Sequence, residues 1–216
     1  MKTIEFKTIS YSGKDKTNED YILCHKLSDN TLISILADGM GGLSYGAEAA
    51  KIVSKSIMTT ILDHIKDSSP EDVLCMAFDA ADTAISKKCK ELKCRMGAAV
   101  TVALIIDGFL YYAWQGNVRL YKVCNGELIS LSTDHIITDV EGPFLTRCVN
   151  GKGYRDKVPI KQETLEQTDR IYLCSDGLYQ KINLNAIMEQ GIEFTSDGVF
   201  EDDASLICHH CYLVVL

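Results

Sequence analysis

The sequence predicts an α+β domain made of antiparallel strands and two amphipathic helices. The first observation is a pair of two-residue hairpin signals, Asp107-Gly108 and Asn125-Gly126. Strands joined this closely must run antiparallel, which excludes a doubly wound parallel sheet for this region. The second is a helical period of apolar residues between the early strands and these hairpins. At 216 residues the chain is expected to form one domain spanning 1–216.

The first part of the chain predicts three strands and then two helices. The strands are expected near residues 3–10, 20–27 and 31–37. A helix near 45–65 follows, with apolar residues at every fourth position: Val53, Ile57, Ile61 and Ile65. A second helix begins at Ser69-Pro70, because Ser is a good N-cap and Pro suits the first helical position. Its apolar stripe is Val73, Ala77, Ala81, Ile85 and Leu92.

The second half of the chain reads mainly as strands. Residues 98–131 predict strand, turn and strand around the two hairpin signals. A further strand is expected at 169–174, a short helical segment near 178–190 and a last strand at 204–216.

Composition and charge exclude several classes of partner. The formal net charge of −8 argues against nucleic acid or an anionic membrane as the main partner. No apolar run approaches the roughly 18 residues of a membrane span, and the first residues lack a signal-peptide core. The nine cysteines are scattered and mostly embedded in apolar segments, which fits a reducing compartment. A cytoplasmic protein is therefore expected.

The most informative segment is Asp38-Gly39-Met40-Gly41-Gly42, which directly follows the apolar strand 31–37. A strand end fixes the direction of the carboxylate, and the glycines leave backbone groups open to a ligand. This combination suits a hard metal ion or a phosphate held close to the main chain.

Three further acidic sites lie where a strand meets a turn. They are Glu19-Asp20, Asp176 and Asp202-Asp203. If these groups converge with Asp38, each pair of carboxylates at about 4 Å costs about 4 kcal/mol at an effective dielectric constant near 20. Such a cluster stays partly protonated or binds divalent cations, and ligands that are all oxygen favour Mg²⁺ or Mn²⁺ over Zn²⁺. Two ions bridged by one carboxylate would lower the pKa of a water and direct it at phosphorus.

These motifs, in this order, resemble the metal-dependent type 2C serine/threonine protein phosphatases, in their minimal bacterial form. The resemblance covers nearly the whole chain. The matching segments are Asn18-Glu19-Asp20, Asp38-Gly39-Met40-Gly41-Gly42, Met96-Gly97, Gly116-Asn117-Val118-Arg119-Leu120-Tyr121, Thr133-Asp134-His135, Ser175-Asp176-Gly177-Leu178 and Asp202-Asp203-Ala204-Ser205.

The resemblance implies a four-layer α-β-β-α sandwich of two antiparallel sheets flanked by helices, with two Mn²⁺ or Mg²⁺ ions at one edge. It implies hydrolysis of phosphoserine and phosphothreonine on proteins without a covalent phosphoenzyme, and an opposing serine/threonine kinase. It also implies that Asp38 bridges both ions and that Asp38, Asp176 and Asp202 are the catalytic carboxylates. The full set of implied metal ligands is Glu19, Asp20, Asp38, Gly39, Asp176 and Asp202.

Several positions depart from the family pattern. Asp15 stands where the family usually has an Arg that binds substrate phosphate, so Lys14 and Lys16 are the candidates to replace it. Asn117 replaces the Asp of a third metal site and is a weaker cation ligand, so two ions rather than three are expected. Ala98-Ala99 replaces two threonines, Asp203 stands where Asn is usual, and the flap region between residues 135 and 169 is shortened.

Two other functions remain open from the residues. The departures are compatible with a catalytically impaired phosphatase-fold module that binds metal or a phosphoprotein. A hydrolase of small phosphoesters is the other alternative, although no Gly-x-x-x-x-Gly-Lys-Ser/Thr loop is present.

The segment Cys208-His209-His210-Cys211 suggests a zinc site at first sight. Alternation along one strand would place its side chains on both faces of a sheet, which does not give four tetrahedral ligands. Two buried cysteines beside exposed histidines are expected instead.

Overall fold

The computed structural model describes residues 2–40, 45–140, 142–190 and 200–213. The strands are β1 Lys2–Tyr11, β2 Asp20–Ser28, β3 Thr31–Gly39, β4 Ala98–Ile106, β5 Phe109–Gln115, β6 Arg119–Cys124, β7 Glu127–Ser130, β8 Ile136–Asp139, β9 Gly142–Leu145, β10 Ile160–Thr164, β11 Arg170–Cys174 and β12 Ala204–Leu213. The helices are α1 Gly46–His64, α2 Pro70–Leu92, α3 Asp176–Tyr179 and α4 Leu184–Gln190.

The strands form two five-stranded antiparallel sheets and one small hairpin. The first sheet has the order β10-β5-β4-β3-β2, and the second has the order β1-β12-β11-β6-β7. Strands β8 and β9 pair only with each other. The predicted hairpin turns are confirmed, because Asp107, Gly108, Asn125 and Gly126 all have the positive φ that such turns require.

Alternation along β3 builds two of the three apolar cores. Ile33 and Ile35 face α1 and α2, whereas Leu32 and Leu36 face the second sheet. A third core lies on the other side of the second sheet, where residues of α3 and α4 cover β11 and β12. The layers are therefore helices, sheet, sheet and helices, which confirms the predicted α+β class and the α-β-β-α sandwich.

Helix α2 begins as predicted from its sequence. Ser69 is the N-cap, its side chain accepts a hydrogen bond from the backbone N–H of Asp72, and Pro70 is the first helical residue. The predicted stripe is buried as far as Ile85, but Leu92 is 39% exposed. That part of the prediction is wrong because Leu92 is the last residue of the helix, where the chain turns away from the apolar core.

The described helices include none that is both long enough and apolar enough to cross a membrane. The predicted helical segment near 178–190 consists of two short helices, α3 and α4. Strands β3 and β11 end, and strands β2 and β12 begin, at the same edge of the sandwich. This topology brings the four acidic segments of the sequence together.

Candidate metal centre

The first carboxylate pair comes from neighbouring strands of the first sheet. Asp38, near the end of β3, lies directly opposite Asp20, the first residue of β2, in an antiparallel pair. Gly39 packs so closely against the first turn of α1 that an added Cβ would lie 2.3 Å from the backbone of Gly46. Only glycine therefore allows this approach of the turn and the helix.

Asp20 is held by two serines from the second sheet. The hydroxyl of Ser175 donates to Oδ2 of Asp20 at 2.7 Å, and Ser205 also donates a hydrogen bond to this carboxyl group. Ser175 itself accepts from the backbone N–H of Ser205 at 2.8 Å. The other oxygen of Asp20, Oδ1, is buried and has no hydrogen-bond partner in the described structure.

Asp176 begins α3 at the end of β11 and faces the same space. Its carboxyl group shares a hydrogen bond with Asp38, and its Oδ2 accepts from the side-chain amide of Asn117 at 3.0 Å. Asn117 therefore donates to a carboxylate at the position where the family has a cation-binding Asp. Gly177 allows α3 to lie against the start of β12, because a Cβ there would lie 2.4 Å from the carbonyl oxygen of Asp203.

The adjacent carboxylates Asp202 and Asp203 have different surroundings. The Asp202 side chain is 58% exposed, lines the cavity and contacts Nζ of Lys16. Asp203 is buried, and its two oxygens accept the backbone N–H groups of Gly13 and Glu19, each at 2.7 Å. Asp203 thus fixes the segment 13–19 to the start of β12.

Glu19 lies at the N-terminal end of α1. Its carboxylate accepts a hydrogen bond from the backbone N–H of Ala47 and lies close to Gly46. Carboxylates are stabilised at helix N-termini because backbone N–H groups there lack partners. Glu19 therefore binds the helix as well as lining the cavity.

A cavity of about 400 Å³ joins these groups. Its acidic and glycine lining is Glu19, Asp38, Gly39, Asp176, Asp202 and Asp203, whereas Asp20 lies opposite Asp38 on the neighbouring strand and is not among the lining residues. The hairpin β8–β9 contributes an apolar wall of Ile136, Pro143, Phe144 and Leu145. Gly41 and Gly42, the last residues of the glycine motif, lie outside the described residues.

Burial and mutual repulsion raise the pKa values of these carboxyl groups. Burial raises the pKa of Asp38 well above its ordinary value, and the neighbouring carboxylates raise it further: Asp20, Asp176, Asp202 and Asp203. Burial raises the pKa of Asp20 to about 7, against the effect of hydrogen bonds from Ser205 and Ser175. The pKa of Asp176 is raised by burial and by the charge of Asp202.

Of the two lysines predicted to reach phosphate, only Lys16 lines the cavity. Burial alone would lower the pKa of Lys16, but the hydrogen bond and charge of Asp202 raise it overall. Lys14 is exposed, and its backbone N–H donates to the carbonyl of Phe200. Asp15, between them, is exposed and has the left-handed φ of 57°.

The donor set fits a hard divalent cation in its chemistry. All side-chain groups that could bind the cation are carboxylates, and the buried Oδ1 atom of Asp20 has no hydrogen-bond partner among the described residues, which is costly unless a ligand pairs with it. Across the described ranges, no three Asp, Glu, His or Cys side chains are arranged as a ready-made metal site. Contacts such as Asp202 with Lys16 and Asp176 with Asn117 direct these oxygens elsewhere.

Residues 10–203 match the protein phosphatase 2C family, which is most of the chain. The chain belongs to the protein phosphatase 2C family. This confirms the family resemblance of the sequence and makes the chain a protein serine/threonine phosphatase, a hydrolase of phosphoric monoesters.

Individual members of the phosphatase 2C family are related at low identity. A putative protein phosphatase of Mycoplasma pneumoniae is 22% identical over 212 residues, covering 85% of this chain and 82% of that protein. The serine/threonine protein phosphatase PstP of Mycobacterium tuberculosis is 27% identical over 177 residues. That alignment covers 71% of this chain and 33% of PstP, so the chain matches about a third of the length of that relative.

The fold agrees with solved structures of the family. The crystal structure of the catalytic domain of PstP, in complex with two manganese ions, superimposes with a TM-score of 0.78. The identity is 23%, and the match covers 99% of this chain and 100% of that domain. This likeness concerns the fold of the phosphatase 2C sandwich.

Several residues of this phosphatase 2C site were missed from the sequence. The two serines that hold Asp20, the role of Asp203 as an acceptor of two amides, and the hydrogen bond from Asn117 to Asp176 were not anticipated. Ser175 directly precedes the predicted ligand Asp176, and Ser205 ends the motif Asp202-Asp203-Ala204-Ser205, which is the signal that points to them. The assignment of individual residues as metal ligands remains a prediction.

Proposed function

We propose that this chain hydrolyses phosphoserine and phosphothreonine on proteins, in a reaction that requires two divalent cations, Mn²⁺ or Mg²⁺. The observation that carries the proposal is the meeting of Asp38, Asp176 and Asp202 in one cavity, with Asp20 directly opposite Asp38 on the neighbouring strand. The manganese ions of the PstP catalytic domain support the choice of cation. A phosphoprotein substrate, an opposing serine/threonine kinase and a cytoplasmic location belong to the proposal. Eight of the nine cysteines have described side chains, and these eight are free thiols, which supports that location.

The residues proposed to hold the cations are Glu19, Asp20, Asp38, Asp176, Asp202 and the carbonyl of Gly39. Asp38 is the proposed bridging group because it lies between Asp20 and Asp176. When bound, the cations supply charge stabilisation at the phosphoryl group and a water of lowered pKa. No covalent phosphoenzyme forms in this proposal.

Other residues orient these carboxylates. Ser175 fixes one oxygen of Asp20, and the other, Oδ1, has no hydrogen-bond partner among the described residues. The amide of Asn117 fixes Oδ2 of Asp176, so the proposal contains two cations and no third. Arg119 forms a bidentate ion pair with Asp134, and its guanidinium lies 3.7 Å from the ring centre of Tyr179. This arrangement gives one wall of the cavity a fixed shape.

The second candidate function is a catalytically impaired module that binds metal or a phosphoprotein. The contact of Lys16 with Asp202 favours it, because the lysine occupies a carboxylate proposed as a ligand. Because Asp15 stands in place of the usual arginine, the site also lacks a guanidinium that could bind phosphate through two N–H groups at once. A lysine does not reproduce that geometry.

A metal titration separates the two functions. We expect turnover of p-nitrophenyl phosphate and of a phosphothreonine peptide with Mn²⁺, and none after chelation. Mn²⁺ at about a hundred times its dissociation constant should add about 2.7 kcal/mol to the free energy of unfolding. Turnover that is insensitive to metal would contradict the proposal, whereas metal-dependent stabilisation without turnover would support the impaired module.

The two lysine candidates are separated by a matched pair of variants. Lys16→Ala should lower the Mn²⁺ concentration needed for half-maximal stabilisation, because Asp202 loses its competing cation. It should also raise KM for the phosphopeptide by up to about fivefold, about 1 kcal/mol, if Lys16 binds the phosphate, because its side chain is 38% exposed and the charge pair is solvated. Lys14→Ala, at an exposed site outside the cavity, should leave both values unchanged. The reverse result would assign phosphate binding to Lys14.

A further inference from the structure

A second cavity of about 380 Å³ lies beside the metal centre and is lined by cations. The cationic residues are Lys90, Lys93, Arg95 and Lys152, and we call this the cationic cavity. All four side chains are exposed, and no Asp or Glu is among the lining residues that the structure describes. Its floor is formed by apolar and sulfur-containing groups, including Met96 and Cys94.

This concentration of positive charge is unusual for the chain as a whole. The chain carries a net charge of −8, yet four cations face one cavity. None of them forms a salt bridge with another residue of the described chain. The helix dipole explains only part of the cluster, because Lys90 lies in the last turn of α2 while Arg95 and Lys152 lie outside the helix.

Backbone contacts hold the cationic cavity in shape. Buried Asp82, on α2, accepts the backbone N–H groups of Gly151 and Gly153, each at 2.7 Å. Lys152 is therefore presented from a loop that is tied to the helix on both sides. A Cβ at Gly151 would lie 2.5 Å from the backbone of Ser86, so this loop also packs directly on α2.

The cationic cavity and the metal centre share one wall. Met40 lines both cavities, and its backbone N–H donates to the carbonyl of Gly97 at 3.0 Å. A polypeptide that has its phosphoryl group at the metal centre and extends past Met40 would bring neighbouring side chains to the cations. The apolar hairpin β8–β9 also lines the metal centre, and none of its residues lines the cationic cavity.

We propose that the cationic cavity binds a second anionic side chain of the phosphoprotein substrate, a phosphorylated or acidic residue near the one that is dephosphorylated. This inference rests on the proposed function and adds substrate specificity to it. A phosphoryl group carries up to two negative charges and several acceptor oxygens, which suits a cluster of lysines and an arginine. The cationic cavity would also bind anions on a protein whose residue 15 is an aspartate instead of the family's usual arginine.

The test compares phosphothreonine peptides that carry a second phosphoserine, moved one residue at a time along both sides. We expect one spacing to raise kcat/KM about tenfold over the singly phosphorylated peptide, since three exposed charge pairs together contribute about 1.4 kcal/mol. The triple variant Lys90→Gln, Arg95→Gln, Lys152→Gln should lose this preference. Its turnover of p-nitrophenyl phosphate should stay unchanged, because that substrate does not reach the cavity.

The matched control removes three exposed lysines from the region of α1: Lys51→Gln, Lys55→Gln and Lys66→Gln. It changes the net charge equally and should retain the preference. Equal loss in both variants would show an effect of overall charge and overturn the proposal, as would equal kcat/KM for every peptide in the wild type.

A binding measurement separates this inference from the proposed function. Fluorescence anisotropy with labelled, hydrolysis-resistant phosphonate peptides needs no turnover and should show the same spacing dependence and the same loss in the triple variant. Spacing-dependent binding without any hydrolysis would retain the cationic cavity and reject the enzyme. Hydrolysis combined with peptide binding that does not depend on the second phosphate would reject the cationic cavity and retain the enzyme. The same conclusion would follow if inorganic phosphate inhibited the hydrolysis of all the peptides equally, whatever the spacing of their two phosphates.

Discussion

Replacing Asp38 with Asn should reduce Mn²⁺-dependent hydrolysis of both p-nitrophenyl phosphate and phosphopeptides by at least about a thousandfold, about 4 kcal/mol in transition-state free energy. Asp38 lies between Asp20 and Asp176, so the loss of its charge affects every proposed cation position. Asparagine keeps the size of the side chain and one acceptor oxygen, so the fold should be retained. Steady-state kinetics across a Mn²⁺ titration measure the effect.

The same variant should be more stable than the wild type when a chelator is present. Asp38 is repelled by four neighbouring carboxylates, and an amide removes one charge from that cluster. We expect a gain of about 1 kcal/mol or more in the free energy of unfolding, since one carboxylate pair costs several kcal/mol at close range. The stabilisation by Mn²⁺ should disappear.

Asp63→Asn is the control for this prediction. Asp63 is exposed on α1, so its replacement should change neither activity nor the response to Mn²⁺. If Asp38→Asn lowered stability in chelator as well as activity, the carboxylates would not form a repelling cluster that binds cations.

The sequence predicted the fold well where local chemistry decides it. The turn residues Asn125-Gly126 fix a hairpin without help from distant residues, and Ser69-Pro70 fixes the start of α2. Each acidic segment follows or precedes a strand, and it was the family resemblance that implied their meeting at one edge of the sandwich. The cavity at that edge lies among the predicted segments.

The hydrogen-bond partners of the site could not be predicted, because they depend on contacts between distant residues. Nothing local in Asp202-Asp203 shows that one is exposed and the other accepts amides from residues 13 and 19. His209 was expected to be exposed, and this is wrong, since it is 1% exposed and lies near Phe6. Strand β12 is central in its sheet and is covered on both faces, so alternation does not separate exposed from buried positions there.

Replacing Asp203 with Ala should lower the free energy of unfolding by about 2–5 kcal/mol, because it leaves two amides without their acceptor. The hydrogen bond from the backbone N–H of Gly13 to Asp203 is buried, and it anchors the segment that brings Lys16 and Glu19 to the cavity. Asp203→Asn keeps one acceptor oxygen, but its side-chain NH₂ group would face the second backbone N–H. We therefore expect this variant to lose about half as much unfolding free energy as Asp203→Ala. Urea denaturation in chelator measures both variants.

The neighbouring residue provides the matched control, since Asp202→Ala should have the opposite pattern. Asp202 is 58% exposed, and its contact with Lys16 is an exposed ion pair, so stability in chelator should change by no more than about 1 kcal/mol. Hydrolysis and stabilisation by Mn²⁺ should nevertheless be lost, because Asp202 is a proposed ligand. Asp203→Asn should retain metal-dependent hydrolysis at temperatures where it is folded. If the two positions behaved alike, the division between a metal-binding carboxylate and a structural one would be wrong. In that case, both would act as parts of a single acidic cluster.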